Sequence, residues 1–355
     1  MIENTIIKNS NSIKESEIVI SPRYDAINGK YTVIKRDGRK ELFSLEKVLK
    51  VIRWSVINNK NIKKESYPFY IETLLNDLVL HIKDGIRTQD LYDTLIDIAA
   101  SKISALYPQW DNIAKYLYLL KIYKENFKLK RIGTYPSLKE TFLSKGIEKG
   151  IYDSKIINSF SEDDLYELNN YIEPNRDTSF NYKGLRIFFD KYCKTYDDNT
   201  IEFKKKLELP QITYMAAAMH SHYNEPHNTL EEKRKRLKNV MHTYDLLSKH
   251  QVTFSTPRIT FGLQGRAQFA SCVLITADDD TLSLNVIDDW AALYSKFMGG
   301  IAIDWSYIRS RGSKIFSNSG KSDGVIPFIR RMENTVSAFN QGGKRKGSVI
   351  NYMQW

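Results

Sequence analysis

An α/β fold with an all-α N-terminal region is predicted for this chain of 355 residues. Three observations carry the expectation. Apolar residues recur at helical spacing through the first part of the chain. After His250, short apolar runs (VTF, CVLI, GIAIDW, VINYM) alternate with helical segments, the pattern of an opening α/β sheet or barrel. Hydrophobic residues at 42% and aromatics at 12% supply a core and exclude a disordered chain.

The elements follow in order. Residues 1–30 are polar, asparagine-rich and aperiodic, which predicts a flexible lead-in. YTVIKRDGRKELFS holds two extended runs around Asp37-Gly38, a hairpin signal. Ser44, with Lys47 beyond it, opens the helix LEKVLKVIRWSVI. Further helices are expected at about 66–82, 88–104 and 110–127, with Thr88 as an N-cap. Together they make a first unit over 31–127. Residues 128–250 read as helical. Pro210 sits in the first turn of LPQITYMAAAMHSH, and Leu230, Leu237, Met241, Tyr244 and Leu247 lie along one side of the following helix. Residues 251–355 open the sheet or barrel, with helices expected at 282–298 and 325–338.

Net charge of +11 and a pI near 9.2 suit an anionic partner. DNA or RNA, a nucleotide, and a basic surface without specific function all remain open. The cation runs FKKKLEL, EEKRKRLKN and FKLKR are interleaved with acids, as on solvated helix faces. No apolar run approaches the ~20 residues that span a bilayer. The first residues lack a secretory signal, so a cytoplasmic location is expected. Cys193 and Cys272 make neither a disulfide framework nor a zinc-ligand spacing. His220 and His222, two apart in a helical stretch, point to different faces, so no metal site is expected.

Three clusters can carry chemistry. In VIKRDGRKELFSLEK, with Thr88 and Lys124, the cations Lys35, Arg36, Arg39 and Lys47 lie on a hairpin and the helix it feeds. A triphosphate could meet cations and a helix N-terminus there; the alternative is an exposed basic hairpin. In STPRITFGLQGRAQFASCVLITADDDTLS, Cys272 lies in an apolar strand, as a small buried hydrophobe or a reactive thiol. Thr256 and Ser271 could donate to an anion or cap turns. Asp278, Asp279 and Asp280 fit a helix N-terminal cap region, and Asp280 is also an acceptor for a ribose hydroxyl. The third cluster is QGGKRKG. Backbone N–H groups of Gly342, Gly343 and Gly347 can approach a phosphate beside the Arg345 fork, although the order GxxxxGK[ST] of a P-loop is absent.

In this order, the clusters resemble the large (α) subunit of aerobic class I ribonucleotide reductase from about residue 31 onward. VIKRDGRKELFSLEKV with DGIRTQDLYDTLIDIAA looks like an ATP-cone. STPR, QFASCVLI, GGIAIDWSYIRSRGS and QGGKRKGSVINYMQW look like the family's barrel opening. The resemblance implies an ATP-cone allosteric domain over 31–127, a helical domain over 128–250 and the first part of a ten-stranded α/β barrel over 251–355. It implies reduction of ribonucleoside diphosphates to deoxyribonucleotides for DNA synthesis, under ATP and dNTP effectors.

Carried over residue by residue, the resemblance makes Cys272 the redox-active thiol. Thr256, Ser271, Gly300 and Arg345 would line the substrate. Asp280, Thr281, Leu282, Lys296, Arg309 and Gln341 would bind the specificity effector. Lys35, Glu41, Ser44, Lys47, Thr88 and Lys124 would bind ATP at the activity site. Two positions depart: Tyr92 stands where some relatives place a histidine, and Phe316 where some place an arginine near the effector phosphates. Cys193 matches no family role and reads as structural.

The family's radical-bearing cysteine, its relay tyrosines and its C-terminal cysteine pair have no counterpart in these residues. The expectation is therefore the N-terminal part of a divided, phage-type α subunit, inactive alone. Its expected partners are a complementary C-terminal α chain, a small radical-generating β subunit, and thioredoxin or glutaredoxin. A homo-oligomer of the assembled subunit is expected, with no metal in this chain, in the host cytoplasm if phage-encoded. Readings from other classes are a nucleotide-binding regulatory module without catalysis and a nucleic-acid-binding protein.

Overall fold

The computed structural model describes residues 28–129, 133–196, 205–260, 262–264, 269–297, 299–317, 319–339 and 347–354. Numbered in chain order, the first elements are β1 (Thr32–Ile34), β2 (Lys40–Leu42), α1 (Leu45–Ile57), α2 (Tyr67–Val79), β3 (Ile86–Arg87), α3 (Thr88–Ser101) and α4 (Gln109–Phe127). Then come α5 (Ser154–Ile157), α6 (Glu162–Tyr171), α7 (Tyr182–Lys191), β4 (Thr195–Tyr196), β5 (Lys205–Lys206), α8 (Pro210–His222) and α9 (Leu230–Ser248). The last are α10 (Thr256–Thr260), β6 (Cys272–Thr276), α11 (Thr281–Lys296), β7 (Gly300–Asp304), α12 (Ile326–Ala338) and β8 (Val349–Tyr352). A π-helical segment, Glu140–Ile147, precedes α5.

Contacts group the chain into two units. One runs through Ser137 and adds Ile172–Gln211; the other comprises Leu138–Tyr171 and the residues from Ile212 onward. The segment 128–250, expected as one helical domain, therefore contributes to both.

In the first unit β1 and β2 pair antiparallel, from Thr32 opposite Leu42 to Ile34 opposite Lys40. Gly38 turns the hairpin with φ of 82°, a conformation that a side chain resists, and its N–H donates to the Lys35 carbonyl at 3.0 Å. β3 lies parallel on the other side of β1. At two residues it is too short to show a period. Beneath this sheet Ile52, Val56, Ile71, Leu74, Leu78, Ile113 and Leu117 are fully buried at helix–helix contacts. Part of the expected lead-in is tied down: Gly29 N–H donates to the Phe43 carbonyl, and Asn28 Oδ1 accepts from Leu45 N–H at 3.1 Å. Residues 1–27 lie outside the described residues.

Thr88 is not the N-cap of α3; Arg87 is, without a side-chain bond. β3 runs directly into the helix, so Thr88 is already helical and its hydroxyl donates to the Ile34 carbonyl at 3.2 Å.

In the second unit β6, β7 and β8 form a parallel sheet in that order, with Cys272 opposite Gly300 and Ile301 opposite Val349. Ile275, Leu284, Ile287, Ile301, Ile303, Trp305, Met332 and Val336 join the sheet, α11 and α12 into one core. The run VTF, expected among the strands, has no regular structure. The chain instead turns into α10 at Ser255, whose carbonyl accepts from Arg258 and Ile259 N–H, with Pro257 in the first turn. Along α9, Leu237, Tyr244 and Leu247 are buried as expected, but Leu230 is exposed. It directly follows the N-cap Thr229, inside the Thr229–Glu232 capping box at the solvated start of the helix.

Candidate functional site

The first unit holds a cleft of about 500 Å³, built by the β1–β2 hairpin, the start of α1, the start of α3 and the last turn of α4. Val33, Phe43, Val48, Val51, Leu91 and Leu95 give it an apolar wall. The cations Lys35, Arg36, Arg39, Lys47 and Lys124 outnumber the lining carboxylates Asp37 and Glu41. All the residues that the resemblance assigns to an activity site, namely Lys35, Glu41, Ser44, Lys47, Thr88 and Lys124, line this one cleft.

Charge pairing orders its mouth. Glu41 bridges Lys35 at 3.2 Å and Lys47 at 3.0 Å. Hydrogen bonds from Lys47 and Lys35 hold its carboxyl below the ordinary carboxylate range. Arg39 pairs with Asp37 at 2.7 Å, and Arg36 reaches out to Glu125 at 3.3 Å. Lys124 differs. Its ammonium donates to the Tyr92 hydroxyl at 2.7 Å and lies 5.4 Å from that ring's centroid. Ser44 caps α1, accepting from Lys47 N–H at 3.4 Å. An apolar slot beside clustered cations and a helix N-terminus is suited to a flat base carrying phosphates. The cationic members were legible in the sequence. The apolar wall carries no motif of its own; its only sequence signal is the helical spacing of Val48 with Val51 and of Leu91 with Leu95.

In the second unit the predicted residues separate into two groups at opposite ends of β6. At its start stand Ser271, Cys272 and Gly300. Gly300 N–H donates to the Ser271 carbonyl at 2.8 Å, and the Ser271 hydroxyl lies 3.8 Å from the Cys272 sulfur. Cys272 is exposed, so the reading of a buried hydrophobe does not hold; Cys193 is the buried cysteine. The Ser255 hydroxyl donates to the Phe269 carbonyl at 3.0 Å, tying the start of α10, and so Thr256, to the lead-in of this strand. The thiol sits where β6 begins.

At the other end is Asp280. Its Oδ1 accepts from Leu282 and Ser283 N–H at 2.9 and 3.0 Å, so it is the N-cap of α11. Thr281 opens the helix and Leu282 is exposed. Arg309 arrives from beyond β7, pairing with the Asp279 carboxylate and donating to the carbonyls of Asp279 and Lys314. Lys296 is not brought to this group. It closes the 16-residue α11, about 24 Å from the cap at a rise of ~1.5 Å per residue. Phe316 is 93% exposed on the loop between β7 and α12. Gln341 and Arg345 lie outside the described residues. Among the described residues no cluster of His, Cys, Asp and Glu has the makings of a metal site. No helix among them is long and apolar enough to cross a membrane.

Comparison with known proteins returns two family models. Residues 31–125 match the ATP cone domain, and residues 270–355 match the ribonucleotide reductase barrel domain. The chain is 32% identical over 325 residues to the ribonucleoside-diphosphate reductase subunit alpha of Helicobacter pylori, covering 91% of this chain and 38% of the relative. It is 28% identical to the subunit alpha of Enterobacteria phage T4, covering 90% and 39%. It is also 28% identical to the ribonucleoside-diphosphate reductase 1 subunit alpha of Escherichia coli, covering 93% and 41%. The chain thus spans about two fifths of the length of these relatives.

Proposed function

We propose that this chain, similar to the N-terminal part of ribonucleoside-diphosphate reductase α subunits, supplies the regulatory nucleotide sites and one wall of the catalytic site of such a reductase. The observation that carries the proposal is the convergence of Lys35, Glu41, Ser44, Lys47, Thr88 and Lys124 on one cleft in a chain that also bears an exposed thiol beside Ser271 and Gly300. ATP or a dNTP occupies the cleft, with its base against Val48, Val51 and Leu95 and its phosphates among the lysines. Asp280, Thr281, Leu282 and Arg309 receive a second effector at the far end of β6, with Gln341 in that site and Lys296 reaching it from another copy or by rearrangement. The substrate diphosphate lies near Thr256, Ser271, Gly300 and Arg345.

Cys272 is the reductant in this reading. The thiol delivers reducing equivalents to the ribonucleotide and ends in a disulfide with a cysteine outside these residues. Turnover then needs the residues that complete the barrel, on this polypeptide or a second one, together with a radical-generating β subunit and thioredoxin or glutaredoxin.

The test is reduction of a ribonucleoside diphosphate by that assembly, with ATP added. Cys272→Ser should abolish dithiol-supported turnover and leave ATP binding unchanged. Turnover by the Cys272→Ser assembly would overturn the catalytic part. Failure of the wild-type chain to bind ATP or dNTPs would overturn the regulatory part.

A further inference from the structure

We propose that Glu125 is a positioning residue of the nucleotide cleft: it holds Arg36 at the rim, yields it to the phosphates of a bound nucleotide, and takes a proton from solvent in exchange. The proposal rests on the reading of the cleft as a nucleotide site.

The geometry is that of a loose latch. Arg36 lines the cleft, but its guanidinium turns outward to Glu125. Glu125 follows Lys124 in the last turn of α4, so the same turn presents one cation to the cleft and one carboxylate to Arg36. A single contact of 3.3 Å joins the pair, Nη2 to Oε1, without the two-pronged geometry that makes arginine–carboxylate pairs strong. A phosphate offers that geometry and more charge, and therefore competes for the guanidinium.

Losing Arg36 leaves Glu125 in poor surroundings. Its side chain is only 17% exposed. Among the described residues, the charged groups facing it are Arg36 from the hairpin, Lys121 from its own helix and Asp93 from α3. Lys121 also pairs with Asp93, so among the described residues the one cation left facing Glu125 once Arg36 departs is shared with a second carboxylate. Burial pushes its carboxyl above the ordinary range even with Arg36 in place, Lys121 and Arg36 opposing and Asp93 adding to the rise. Removing the guanidinium and bringing in phosphate both act in the same direction, toward protonation. Nucleotide binding is thereby coupled to proton uptake.

Calorimetric titration of the full chain with ATP, from pH 8 to pH 6, tests this. Wild-type affinity should rise relative to that of Glu125→Gln as the pH falls, by at most about tenfold per pH unit for one proton. Titrations in buffers of different ionisation heat should show proton uptake by the wild type that Glu125→Gln lacks. At pH 8 Glu125→Gln should bind ATP at least as tightly as the wild type, because Arg36 is no longer held; a merely structural role predicts weaker binding. Arg36→Ala should bind more weakly and show a smaller uptake than the wild type, which decides the matter if Glu125→Gln fails to fold. Parallel pH profiles, or uptake undiminished in Arg36→Ala, overturn the proposal while leaving the nucleotide reading intact. A wild-type chain that binds no ATP overturns both.

Discussion

Cys272 and Gly300 stand opposite each other at the start of β6 and β7, and a Cβ placed on Gly300 would lie 3.8 Å from the cysteine sulfur. The same Cβ would sit 3.4 Å from the Ser271 carbonyl, an ordinary contact, so the backbone has room for alanine. A larger side chain there extends over the thiol. Gly300→Val is therefore expected to fold but to slow modification of Cys272 by a thiol reagent severalfold, with Gly300→Ala close to the wild type. Cys193, being buried, should stay unreactive in the native protein and so serves as an internal control.

Asp280 tests whether one carboxylate serves both the helix and an effector. Its Oδ1 satisfies two N–H groups that α11 cannot satisfy itself. Asp280→Ala should cost about 1 kcal/mol in denaturant unfolding, and Asp280→Asn much less, because the amide oxygen can still accept. If the carboxylate also receives a ribose hydroxyl, both variants should weaken dNTP binding, including the one that keeps the cap. Equal stability of Asp280→Ala and wild type would contradict the capping role.

The elements that the sequence made legible are those with a local signal. Asp37-Gly38 between extended runs announced the hairpin, and Ser44 ahead of LEKVLKVIRW announced α1. β3 was missed because Ile86 and Arg87 pair only through a parallel contact with β1, distant in sequence. VTF misled for the opposite reason: its apolar texture suggests a strand, but Ser255 and Pro257 start a helix at once. The cations of the cleft could be named from motif order, yet nothing local says that Lys124 would meet Tyr92, or that Arg36 would turn away toward Glu125. Those facts depend on how α4 packs beneath the hairpin. The exposure of Cys272 was equally illegible, since CVLI reads as a buried strand, whereas Cys272 and Leu274 both stand exposed and only Ile275 of the four is buried.

Asp177 contributes its own pH response to the first unit. Fully buried, it accepts from the Tyr123 hydroxyl at 2.8 Å, the Tyr135 hydroxyl and Gln211 Nε2 at 2.9 Å. Burial raises its pKa to about 6 despite these three donors. The folded state thus holds this proton more tightly than the unfolded chain does. Its contribution to stability should grow as the pH falls from about 6 toward the ordinary value of 3.8, and fade as the pH rises through 6. Asp177→Asn should remove that slope, which amounts to on the order of 3 kcal/mol across the window. Denaturant unfolding of both proteins between pH 4 and pH 7 measures it, and parallel curves would contradict the assignment.

Lys124 should be the cation on which nucleotide affinity depends most. Lys35 and Lys47 share Glu41, and Arg39 and Arg36 each face a carboxylate, so a phosphate must compete for all of them. The partner of Lys124 is a neutral phenol, which orients the ammonium over the Tyr92 ring without cancelling its charge. Lys124→Met should then lower ATP affinity about tenfold or more, the scale of one hydrogen bond to a charged group. Lys47→Met should cost less, because the charge it removes is already partly offset by Glu41. Tyr92→Phe keeps the ring and removes only the hydroxyl, so its effect should stay within about threefold, well below the loss of a charged contact. Calorimetry on the three variants gives the order, and a larger loss for Tyr92→Phe than for Lys124→Met would show that orientation by the phenol, not the charge itself, governs the site.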